Sequence, residues 1–83
     1  MQNETLRRID AVLRFGGHTS VSVPVHQTTY GQVAQEVERQ RNWPRGSVKL
    51  LDRDRAEQAK LDEEVPIDVT HVFGYVLPVA GVQ

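Results

Sequence analysis

Between Val21 and Tyr30 the hydrophobic period of this 83-residue chain changes, and that change limits the possible folds more than any other feature. Before it, Val21, Val23 and Val25 alternate with Ser20, Ser22 and Pro24, the two-residue period of a strand with one buried face. After it, Tyr30, Val33, Ala34 and Val37 fall at i, i+3, i+4 and i+7, one face of a helix. A strand with one apolar face and a helix with one apolar stripe each need a partner layer, and each can supply the other's. The residues around the change support both elements. Thr29 and Gln32 have the spacing of a capping box, in which each side chain satisfies a free backbone N–H. Pro44 and Gly46 end the helix, with Trp43 tucked beneath that end.

Upstream, "AVLRFGG" supplies the other half of a β-hairpin. Leu13 and Phe15 share a strand face, and Gly16-Gly17 offers the positive φ angles of a tight turn. Pro24 has no N–H to give to a ladder, which places its strand at a sheet edge. Downstream, "SVKLLD" reads as a short strand, and "RDRAEQAKLDEE" as a charged connection with a brief strand or turn around Leu61. The last strand begins near His71 and is apolar on both faces, as expected of a central strand paired in parallel with the first. The reading divides the chain into a polar lead-in over 1–10, one domain over 11–79 and a tail over 80–83. The fold class is α+β: a mixed sheet of four to five strands packed on one helix, in the order ββαβ(β)β, which is the β-grasp arrangement.

Composition removes several kinds of chemistry. With no cysteine there is no disulfide, no thiolate metal site and no cysteine nucleophile. A net charge of −1 gives no electrostatic case for nucleic acid or anionic lipid. No apolar run reaches membrane-spanning length, and the polar start "MQNETLRRID" is unlike a signal peptide. These features predict a soluble, cytoplasmic protein with no membrane partner. His18, His26 and His71 lack the short spacing that brings ligands together, so no metal or other cofactor is expected. Asp52, Asp54, Glu57, Asp62, Glu63 and Glu64 are interspersed with Arg53, Arg55 and Lys60, a self-neutralising loop rather than a calcium site. Neither a nucleophile elbow nor a phosphate loop is present, so no catalytic residue is assigned and the chain is read as non-enzymatic. Arg7, Arg8, Arg14, Arg39, Arg41 and Arg45 could form a basic surface, but aromatics interleaved for base stacking are missing, since Phe15, Tyr30 and Phe73 are assigned to the core.

"AKLDEEVPI" resembles the stretch around the short fourth strand of ubiquitin, and the chain from 11 to 81 resembles the ubiquitin-like superfamily. From Ile67, "IDVTHVFGYVLPVAGV" resembles the end of the small subunit of molybdopterin synthase and related sulfur carriers. Phe73 and Tyr75 match apolar strand positions there, and Pro78, Val79, Ala80 and Gly81 match the carrier's ending. In those carriers a partner adenylates the last glycine, yet here Val82 and Gln83 stand where the final glycine would be and after it. The resemblance therefore implies two functions. The leading one is a protein-interaction domain or accessory subunit. The alternative is a sulfur carrier or modifier that meets an adenylating enzyme once trimmed to Gly81, with Ala80 and Gly81 as its working tail.

In ubiquitin the outer sheet face meets most partners. If Leu13, Phe15, Phe73, Tyr75 and Leu77 point to the helix, that face here carries Val12, Arg14, Val72, Gly74 and Val76, with either Lys49 or Leu51 added from the third strand. Arg14, Lys49, Val72 and Val76 are the expected protein-binding residues.

Overall fold

The computed structural model describes residues 5–52 and 57–77. Two strands, β1 (Leu6–Arg14) and β2 (Gly17–Pro24), precede the helix α1 (Tyr30–Arg41), and two more, β3 (Val48–Leu50) and β4 (His71–Val76), follow it. The four strands form one sheet in the order β2-β1-β4-β3. β1 pairs antiparallel with β2 and parallel with β4, and β3 pairs antiparallel with β4. The molecule is thus α+β, one helix on a mixed four-stranded sheet, compatible with a β-grasp. As the sequence predicts, Pro24 lies on an edge strand and the last strand is central and parallel to the first. β1 begins at Leu6, inside the stretch read from sequence as a polar lead-in. Leu61 lies in a turn rather than a strand, and the connection touches the rest of the fold through isolated bridges, Leu51 to Gln58 and Thr29 to Glu64. No helix among the described residues is long and apolar enough to cross a membrane.

The helix starts where the sequence places it. The Thr29 hydroxyl accepts from the Gln32 backbone N–H, and the Gln32 side chain accepts from the Thr29 N–H. It ends at Asn42, which takes the left-handed conformation (φ 59°) and donates its N–H to the carbonyls of Arg39 and Glu38. Pro44 follows and forbids continuation. The face of α1 toward the sheet buries Tyr30, Gly31, Val33, Ala34, Val37 and Glu38.

Against that face lie Ile9, Ala11 and Leu13 of β1, Val21 and Val23 of β2, Val48 and Leu50 of β3, and Val72 of β4. The core is made mostly of β-branched and small side chains, with Tyr30 its one fully buried aromatic. Trp43 packs against it from beneath the helix end, as expected, with the Arg41 guanidinium 4.4 Å from its ring centroid. A side chain at Gly16 would collide with Val76 and Trp43, so the hairpin turn closes over the core only because that position is bare. The positive φ angles of this turn fall on Phe15 (69°) and Gly17 (73°) rather than on the glycine pair.

Two polar side chains, the buried Glu38 and the half-buried Arg7, neither foreseen from sequence, fasten the loops. The Glu38 carboxylate is 3% exposed, and its Oε2 accepts from the N–H groups of Gly46 and Val48, each at 3.0 Å. It thereby occupies the Val48 donor on the outer edge of β3 and one in the turn before it, and along the same edge the short segment around Gln58 adds a hydrogen bond from the Ala59 N–H to the Leu50 carbonyl. Across the sheet, the Arg7 guanidinium donates to the carbonyls of Val65, Pro66, Ile67 and Val69, at 2.8 to 3.2 Å. A planar fork with several fixed donors suits such a ring of carbonyls, which a lysine could not replace.

Candidate functional site

Among the described residues, one side of the sheet is covered by α1 and the other is left open, and register decides which side chains face out. In the β1–β4 ladder Ala11 stands beside Val72 and Leu13 beside Gly74. In the β3–β4 ladder Val48 stands beside Val76 and Leu50 beside Gly74. Neighbours across a ladder share a face, so Val72, Gly74 and Val76 look toward the helix together with the buried Ala11, Leu13, Val48 and Leu50. The open face receives Val12, Arg14, Lys49, Phe73 and Tyr75.

This corrects the assignment made from sequence. Arg14 and Lys49 lie on the open face as expected. Val72 is only 3% exposed and Val76 packs against the core, so neither is on it. Phe73, assigned inward, is 55% exposed, and Phe15, at the hairpin turn, is 85% exposed. The error has a simple origin. Giving the inner face to the larger side chains of β4 shifts its parity by one residue, and a shift of one exchanges every side chain between faces. The signal that settles it is Gly74. A Cβ there would sit 2.1 Å from the Lys49 carbonyl oxygen, so this strand position runs too close to β3 to carry an aromatic ring.

The open face is organised in rows across the strands. In one row Tyr75 of β4 is flanked by Arg14 on β1 and Lys49 on β3. The next row runs His18, Val12, Phe73, with Leu51 beyond β3 bonded by its N–H to the Phe73 carbonyl at 2.7 Å. The third holds Ser20, Asp10 and His71. An apolar row is therefore bordered by a cationic row on one side and a polar cluster on the other.

The polar cluster is internally matched. Asp10 Oδ1 accepts from the Ser20 hydroxyl at 2.5 Å and from Arg8 Nε at 3.2 Å, and its Oδ2 lies 3.5 Å from His71 Nε2. The hydrogen bond from Ser20, followed by that from Arg8, holds the Asp10 carboxyl below its ordinary value of 3.8. Arg14 and Lys49 are different: neither pairs with a carboxylate among the described residues. The Arg14 guanidinium instead lies 5.9 Å from the Phe15 ring centroid.

Elsewhere, His18, His26 and His71 do not converge, and no group of three or more His, Cys, Asp or Glu among the described residues could hold a metal ion. Ala80 and Gly81, the working tail of the carrier reading, lie outside the described residues. Comparison with protein-family models and with curated proteins finds no match to this chain.

Proposed function

We propose that this chain is a ubiquitin-like β-grasp domain acting as a non-enzymatic protein-interaction module or accessory subunit, and that it docks through the open face of its sheet. The observation that carries the reading is Phe73, exposed at the middle of a central strand with Val12 and Leu51 beside it. Fully burying a side chain of that size yields about 1.5–3 kcal/mol, and with Phe73 55% exposed the isolated domain forgoes roughly half of that. A flat apolar strip with a charged border has the anatomy of a small interface, an apolar centre within a polar rim.

Because Val72 and Val76 belong to the core, they are unsuitable probes of this surface, and Phe73 is the informative position. Phe73→Asp should weaken co-purification of the partner from the native host at least about tenfold, the loss of one well-covered aromatic. The thermal melt should stay within a few degrees of the parent, since the altered side chain is outside the core. Undiminished co-purification with the same melt would remove this face from the function.

A further inference from the structure

We infer that the partner reaches this face with an acidic segment bearing a large apolar side chain, its carboxylates set to straddle Tyr75 and meet Arg14 and Lys49. The inference rests on the docking reading above and adds the chemistry of the occupant. Charge complementarity carries it. The chain as a whole has a net charge of −1, yet the row at Tyr75 holds two cations. Neither has a carboxylate partner among the described residues, whereas the carboxylate on the same face, Asp10, is already engaged by Ser20 and Arg8.

The spacing is also defined. Arg14 and Lys49 sit on opposite neighbours of β4, so their backbones are separated by two strand spacings, roughly 10 Å. A partner chain crossing the strands can place a carboxylate over each. The Phe73 row lies two residues along β4, roughly 7 Å away, and there an apolar side chain would be covered. Two cations match a short acidic stretch better than a nucleic acid, whose continuous phosphates would also meet the field of a net-negative protein.

The test uses isotope-labelled full-length protein and three probes followed by amide chemical shifts. The probes are a seven-residue peptide alternating Glu and Asp with Phe and Leu, the same peptide with Lys at each acidic position, and a short oligouridylate. The acidic peptide should move the resonances of Val12, Lys49, Phe73 and Tyr75, and its affinity should fall as salt is raised. Arg14→Glu with Lys49→Glu should weaken it roughly tenfold or more while leaving the melt in place. Binding of the lysine peptide at this face, lost in Phe73→Asp, would overturn the acidic inference and leave the docking reading standing. Shifts at this face from oligouridylate with none from the acidic peptide would overturn both. Absence of any shift at this face from the acidic peptide, or an affinity unaffected by the double reversal, would also overturn the inference.

Discussion

Asp10 shows how single side chains set the character of the open face. Its carboxylate is held ionised by Ser20 first and Arg8 second, so its value in the folded protein lies below the ordinary 3.8. A group depressed on folding contributes stability above its unfolded value, and that contribution disappears as the pH falls through the folded value. Removing the Ser20 hydroxyl should therefore raise the Asp10 midpoint toward 3.8. Carboxyl carbon shifts recorded against pH in Ser20→Ala would read it, and the variant should lose less stability than the parent on acidification. A midpoint identical to the parent's would mean that Ser20 is not the principal cause. Nothing in the sequence marks this trio. Asp10 and Ser20 stand opposite each other only because of the hairpin register, and Arg8 reaches Asp10 along the same strand face.

At the level of elements, the contact between β3 and β4 is the tightest constraint on the fold. Gly74→Ala would drive a Cβ to 2.1 Å from the Lys49 carbonyl oxygen and 3.0 Å from the Leu50 Cα, backbone atoms that cannot swing aside. The expected cost is about 3 kcal/mol or more, measured by chemical denaturation. Gly17→Ala is the control: its Cβ would meet nothing within 4 Å, and only its φ of 73° opposes the change, for about 1–2 kcal/mol. Equal costs would mean that the close approach is not what glycine serves at position 74. Much at this scale was legible beforehand. The strand period of Val21 and Val23, the helical face of Val33, Ala34 and Val37, the capping box and the edge position of Pro24 are all local patterns, and local patterns are written in adjacent residues. The faces of β4 were not legible, because the run from Val72 to Leu77 is apolar throughout except for Tyr75 and has no alternation to read. Parity there is set by pairing with β1 and β3, a long-range fact. Glu38 and Arg7 escaped for the same reason: each satisfies backbone groups distant in sequence.

Over the whole molecule, bulk and burial are distributed against the usual preference. The core is filled by valine, isoleucine, leucine and alanine around Tyr30, while both phenylalanines are left outside. Of the four surface residues expected from sequence, Arg14 and Lys49 are on the open face. Phe73 and Tyr75, which now define it, were hidden by the assumption that large side chains go inside. The central claim is that this face is where the protein meets its partner. Site-specific photo-cross-linking in the native host tests it most directly, with the photoreactive side chain placed at the half-buried Tyr75 and, for comparison, at Ile67, which is exposed but lies in the loop held by Arg7. The account predicts a discrete cross-linked protein from position 75 that is lost on Phe73→Asp and is not formed from position 67. The same product from both positions, or a product only from position 67, would contradict it.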